Sequence, residues 1–165
     1  TALTAEMLIS AGLAVDFMAA KEMIDNAVSS GKALDKFREI IQAQGGNPRV
    51  LDDYGLFDAV KVVEPIIADQ AGYVHSIDSR AIGYALVRIK AGRMVVSDAI
   101  DYSAGALLHP KIGDKLAVGD KIGEVHAAST EAAKEVADLI RRAYKINPLP
   151  KAKEDLIFEI ARTEG

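Results

Sequence analysis

Residues 91–125 read AGRMVVSDAIDYSAGALLHPKIGDKLAVGDKIGEV, and within them two near copies of one phrase, Ile112-Gly113-Asp114-Lys115 and Val118-Gly119-Asp120-Lys121, lie six residues apart. Each Gly-Asp sits between short apolar pieces, and glycine supplies the positive φ of a tight turn at little steric cost. Two such turns in quick succession fold a strand back and return it. The stretch therefore predicts a small curled sheet, with strand-like pieces around Ile100, at Ala106-Leu107-Leu108, at Lys115-Leu116-Ala117 and over residues 121–126.

Upstream of this region the pattern is helical. Thr4 is placed to cap a short helix running to Ala11. Asp16 is placed to cap a second, in which Ala20, Met23, Ile24 and Ala27 share a face and which Gly31 stops. Lys32 opens a third, with Leu34, Phe37, Ile40 and Ile41 at helical spacing and Gly45-Gly46 as its stop. Asn47-Pro48 begins an irregular connection through Asp52-Asp53-Tyr54-Gly55. Beyond it, Val60, Val62 and Val63 lead into Pro65-Ile66-Ile67, and residues 72–77 alternate as a strand does. Residues 78–89 fit either period; the helical reading, capped by Asp78 or Ser79, aligns Ile82, Leu86 and Ile89.

After the double turn, Ser129 or Thr130 caps a further helix. Glu131 suits its positive end, Ala132, Val136, Ile140 and Tyr144 form its apolar stripe, and Arg141, Arg142 and Lys145 suit its C-terminal end. Pro148 and Pro150 end it, and residues 156–160 read as a last strand. The predicted class is α+β, a helical piece followed by a small sheet crossed by helices.

The chain of 165 residues is long enough to bury about 70% of the surface its unfolded form exposes. It has no cysteine, which excludes disulfides and thiolate chemistry and fits a cytoplasmic setting. No apolar run approaches the roughly 20 residues needed to span a bilayer, and the first residues are not basic and signal-like, so no membrane partner is expected. A net charge of −4 with mixed signs argues against nucleic acid. Position 1 is Thr rather than Met, which is compatible with a piece of something longer.

Few residues suggest chemistry. His75, His109 and His126 have no metal-ligand spacing and are read as structural. Gly45-Gly46 follows a helix end, whereas phosphate loops precede helices, so it is read as a stop. Asp52-Asp53 reads as a solvated turn and Arg141-Arg142 as a solvated helix end. Arg93 is expected to form an ion pair with Asp98 or Asp101. On the pattern of the biotinyl and lipoyl carrier hairpins, residues 119–129 place Ala128 and Ser129 where a carrier has Met-Lys; the shape can be shared, but without the amine no acylation is possible.

The chain resembles the C-terminal part of the thymidine phosphorylase and pyrimidine-nucleoside phosphorylase family. The resemblance is carried by SGKALDKFREIIQAQGGNP at residues 30–48, GYVHSIDSRAIGYALV at 72–87, AGR at 91–93, DAIDYSAG at 98–105 and IGDKLAVGDKIGEVHA at 112–127, in that order and spacing. Its signature positions here are Gly72, Gly92, Arg93, Asp101, Gly113, Asp114 and Gly119. One departure is Ile89-Lys90, where family members usually carry small, glycine-rich residues before the AGR.

The resemblance implies the end of a helical domain over residues 1–46, a linker and first strand over 47–69, and a C-terminal hammerhead-like, barrel-sandwich-like domain over 70–165. It implies a parent enzyme, a homodimeric pentosyltransferase, in which phosphate is co-substrate and attacks the anomeric carbon of a pyrimidine nucleoside to release base and (deoxy)ribose 1-phosphate, with no cofactor. The family's phosphate loop and its base-binding Arg, Ser and Lys lie in the first half of its chain and match nothing here. Catalytic, phosphate-binding, substrate-binding and metal residues are therefore expected to be none in this chain, and its main partner to be the N-terminal part of the same enzyme. Leu8, Met18, Met23 and part of residues 73–86 are expected to face that part. The alternative is a stand-alone hammerhead binding or scaffold module without catalysis.

Overall fold

The computed structural model describes residues 1–153 and Ile157. The chain divides into two compact units, Thr1–Phe57 and Asp58–Gly165. The strand expected at residues 156–160 lies outside the described residues, except that Ile157 is in no strand.

In the first unit, helices α1 (Ala2–Ser10), α2 (Phe17–Ser29) and α3 (Lys32–Ala43) are followed by two short 3-10 turns, Pro48–Leu51 and Tyr54–Leu56. The expected Thr4 cap is corrected. Nothing in Thr1-Ala2-Leu3 opposes helix, so α1 starts at Ala2 with Thr1 as its N-cap, and Thr4 lies inside it. Asp16 does cap α2, its side chain accepting the Ala19 N–H at 2.8 Å. Two helix ends share one device: the Gly12 N–H donates to Ile9 O and the Leu13 N–H to Leu8 O after α1, and the Gly45 N–H donates to Gln42 O and the Gly46 N–H to Ile41 O after α3. Both glycines have positive φ, as this Schellman closure requires.

Ala5, Ala14 and Ala20 form the buried core of this unit, with Leu8, Ile9, Ala19 and Ile24 packed on them. Leu8 therefore faces inward, contrary to expectation, whereas Met18 and Met23 are exposed. α3 buries none of its residues. It is tied to the following turns by Arg38, whose guanidinium donates to both oxygens of Asp52 at 2.8 and 3.0 Å. Asp52 is solvated, as expected, and also anchors the turn to α3; that hydrogen bond holds its carboxyl below the usual range.

The second unit contains two three-stranded antiparallel sheets. One has the order β1 (Val62–Ile67), β5 (Lys121–Ala127), β3 (Gly105–Leu108); the other has β4 (Lys115–Leu116), β2 (Gly72–Ile77), β6 (Tyr144–Asn147). Helix α4 (Ser79–Arg88) is capped by Asp78, which accepts the Ala81 N–H at 2.9 Å, and α5 (Thr130–Ala143) by Ser129, which accepts the Ala132 N–H at 3.3 Å. Val136 and Ile140 of α5 are fully buried with Ile66, Val74, Ile122 and Val125 from the strands.

Three expectations fail here. Ile100 is in no strand, because residues 89–104 form a loop braced by aspartates. Tyr144 is not the last member of the α5 stripe: its backbone turns extended, and it opens β6, which pairs with β2 through Tyr73 opposite Asn147 and Ile77 opposite Tyr144. Gly72 permits that pairing, since a Cβ there would stand 2.6 Å from Asn147 O. Arg141, expected in solvent, pairs with Asp69 and with Asp138.

Candidate functional site

The two Gly-Asp turns are the same object built twice. In each, the residue three before the aspartate accepts the aspartate N–H and donates its own N–H to the aspartate side chain: Lys111 with Asp114 at 3.0 and 2.8 Å, Ala117 with Asp120 at 3.2 and 2.7 Å. The third residue, Gly113 or Gly119, has φ of +88° or +92°, as a type II turn needs. Each turn then clasps one buried residue. Val74 accepts the Gly113 N–H and donates to Asp114 O; Ala68 accepts the Gly119 N–H and donates to Asp120 O, all at 2.8–2.9 Å. Val74 and Ala68 are themselves six residues apart, so the repeat noticed in the sequence is answered by a matching repeat in the strands it joins.

Of the remaining residues that the resemblance singled out, Gly72 opens β2, and Gly92, Arg93 and Asp101 gather in the loop after α4. The Lys90 N–H donates to Val87 O and the Ala91 N–H to Leu86 O, the Schellman closure again. Lys90, with φ of +62°, occupies the left-handed position that glycine fills after α1 and α3. At this closure the chain therefore holds a non-glycine residue in a strained conformation. Gly92 leaves room for Val87, which a Cβ would meet at 3.3 Å.

Within the loop, Asp98 accepts the N–H groups of Met94 and Val95 at 3.0 and 3.1 Å. Asp101 accepts the Ser103 hydroxyl at 2.7 Å and its N–H at 3.0 Å, and these bonds, the hydroxyl's first, hold its carboxyl below the usual range. Both carboxylates are spent on their own loop. The expected ion pair of Arg93 is corrected accordingly: Arg93 is exposed, and among the described residues it has no partner. Met94, Val95, Val96 and Tyr102 are exposed beside it, Val96 at 90%. A cleft of about 390 Å³ lies between this loop and the start of α5, lined by Lys90, Ile100, Asp101 and Ser129 among others.

What these groups can do chemically is limited. Of the cleft's polar side chains, Ser129 spends its oxygen on the Ala132 N–H and Asp101 is an acceptor already engaged by Ser103. The histidines are apart in role. His75 Nε2 donates to Leu149 O at 2.7 Å, His126 meets Glu124 at 2.9 Å, and the His109 backbone N–H donates to Ile122 O. Among the described residues no three of His, Cys, Asp and Glu lie close enough to hold a metal ion, and no helix is long and apolar enough to cross a membrane. Sequence reading missed the roles of Lys90, Ser103 and Lys153, the last of which pairs with Asp114 at 2.7 Å. Only Ser103, two residues after an aspartate in a glycine-bounded loop, had a local signal for its role.

Residues 73–147 match the model of the pyrimidine nucleoside phosphorylase C-terminal domain. The chain is 37% identical over 160 residues to a thymidine phosphorylase of Burkholderia orbicola, an alignment covering 96% of this chain and 36% of that protein. It is 36% identical over 156 residues to a thymidine phosphorylase of Burkholderia cenocepacia, covering 94% and 36%. To one of Burkholderia lata it is 38% identical over 160 residues, covering 96% and 36%. The chain thus spans about a third of the length of the curated relatives it matches.

Proposed function

We propose that the chain serves as the non-catalytic C-terminal portion of an enzyme of the thymidine phosphorylase and pyrimidine-nucleoside phosphorylase family, whose C-terminal part it matches along nearly its whole length. The parent reaction is reversible phosphorolysis of a pyrimidine (deoxy)nucleoside to base and (deoxy)ribose 1-phosphate, carried out in the cytoplasm by a homodimer without a cofactor. On this reading the second unit is the family's hammerhead-like domain and the first closes its helical domain. The observation that carries the proposal is identity of 36–38% along nearly the whole chain to proteins named thymidine phosphorylase.

The site chemistry supports the assignment of roles. Phosphorolysis needs fixed donors around an anionic phosphate and around the departing base, worth several kcal/mol at the transition state. The carboxylates of the double turn and of the Asp98–Asp101 loop instead go to groups of this chain, chiefly N–H groups of their own turns. The braced loop, with the unpaired Arg93 among exposed apolar side chains, is the surface we assign to the contact with the catalytic part. Its carboxylates fix its shape before contact, which lowers the ordering cost of association.

The test is an assay of the pure chain with thymidine or uridine plus phosphate, alone and mixed with the upstream part of a family member. We expect no turnover alone and turnover, or tight association, in the mixture. Activity of the isolated chain after rigorous purification would overturn the assignment, and indifference to the upstream part would favour the stand-alone module.

A further inference from the structure

We propose that the second turn, Ala117-Val118-Gly119-Asp120, is a docking point for an extended, lysine-bearing segment of another polypeptide. The chemistry of the partner is read from the first turn, which already has its occupant. There the chain's own segment from Pro148 to Lys153 passes over Gly113, fixed at one end by the His75 bond to Leu149 O and at the other by Lys153 Nζ, 2.7 Å from Asp114 Oδ1. It lies so close that a Cβ on Gly113 would come within 3.0 Å of Lys151 O and Lys153 N. Under this strap the first turn, from Ile112 to Asp114, is half-buried.

The second turn has the same hydrogen bonds, the same glycine and the same aspartate, and none of the cover. Val118 is 65% exposed, and no described atom would touch a Cβ placed on Gly119. Asp120 spends Oδ2 on the Ala117 N–H, as Asp114 spends Oδ2 on Lys111, and among the described residues no cation meets it. What the first turn takes from its own chain, the second offers outward: a flat glycine for close backbone approach, an apolar side chain to cover, and a carboxylate oriented by its own turn to accept an ammonium. The charge-assisted bond supplies orientation and most of the selectivity.

The probe is a synthetic peptide with the sequence of residues 148–153, titrated into the full chain while backbone amide shifts are followed. The expected result is saturable shifts at Val118, Gly119 and Asp120. Asp120→Asn, whose side-chain carbonyl can keep the Ala117 bond while losing the charge, should weaken binding about tenfold. Replacing the peptide's last lysine by alanine should do the same. Shifts confined to Gly113 and Asp114, where the peptide merely displaces the native strap, would overturn the proposal; so would equal affinity for Asp120→Asn, or no saturable response at either turn. A companion measurement checks the template: Asp114→Asn should speed amide exchange in the strap at Leu149 and Lys153, and unchanged protection there would also sink the idea.

Discussion

Among the described residues both the helical unit and the two-sheet unit expose many large apolar side chains, more of them in the shorter helical unit, and only the two-sheet unit closes off a set of large ones completely. In the first, the buried side chains are Ala5, Ala14 and Ala20, while Leu3, Met7, Leu13, Val15 and Met18 stand 63–91% exposed. In the second, Ile66, Val74, Ile122, Val125, Val136 and Ile140 are closed off from solvent. A methyl-sized core offsets little of the ordering entropy of three helices, whereas six branched side chains at about 1.5–3 kcal/mol each are a substantial fraction of a small domain's stability. The difference teaches that the sheet unit carries a core able to hold it together, whereas the helical unit has little buried apolar volume of its own.

The harshest way to break this contrast is to cut it. Residues 58–165 alone should keep a cooperative thermal transition by circular dichroism, and residues 1–57 alone should lose helix gradually without one. A sharp transition in the helical fragment, or none in the sheet fragment, would remove the contrast. The next test is a pair of single changes in the whole chain. Ile140→Ala should cost about 2–5 kcal/mol in urea unfolding, since the side chain is fully enclosed. Ile40→Ala, at a residue 44% exposed on α3, should stay within about 0.5–1 kcal/mol. Similar losses at the two positions would mean that the apolar stripe of α3 is covered after all.

The sequence was most legible where chemistry is local. The Asp16, Asp78 and Ser129 caps, the glycine stops at Gly31 and Gly45, and the two Gly-Asp turns each announce themselves within four residues, and each is found where it was expected. Where the reading went wrong at Tyr144 or was incomplete at Asp52, a distant partner decided the outcome. Tyr144 continues the period of α5, but the open side of β2 claims it for β6. Asp52 resembles any turn aspartate until Arg38, 14 positions earlier, reaches it. The twin clasp on Val74 and Ala68 could not be read at all, because only the folded chain shows that two repeats spaced by six residues meet two partners spaced by six.

A gentler comparison concerns how helices end. After α1 and α3 the left-handed closing position is glycine, with φ of +70° and +78°; after α4 it is Lys90, with φ of +62°. A side chain in that conformation costs roughly 1–2 kcal/mol, partly regained because lysine has less backbone freedom to lose than glycine. Lys90→Gly should therefore stabilise the second unit by about 0.5–1 kcal/mol, and Gly45→Ala should destabilise the first by a similar amount. Melting temperatures of the two variants should move in opposite directions. A destabilised Lys90→Gly would show that the lysine makes up its backbone strain by some contact of its side chain.

The smallest expected effect is electrostatic, and it again sets one unit against the other. On the half-buried side of β5, Lys121 Nζ lies 2.6 Å from Glu124 Oε2 and His126 Nε2 lies 2.9 Å from Oε1. These bonds, the lysine's first, pull the Glu124 carboxyl from 4.5 to about 2. In the first unit the Asp52 carboxyl is lowered by the Arg38 fork. A carboxyl that is more acidic folded than unfolded contributes stability that is fully present above its unfolded pKa and disappears as pH falls through its folded one. For Glu124 the window runs from about 4.5 down to about 2, and the solvent that still reaches this half-buried pair, with salt, keeps the contribution small. Glu124→Gln should accordingly leave neutral-pH stability nearly unchanged and flatten the acid slope of the sheet unit's transition within that window. Asp52→Asn should soften acid loss only in signals from the helical unit. Carboxyl carbon shifts followed by NMR against pH locate both groups directly: a Glu124 midpoint near 4.5 would remove the clamp on β5, and an effect of Asp52→Asn on the sheet unit's transition would show that the two units do not respond separately.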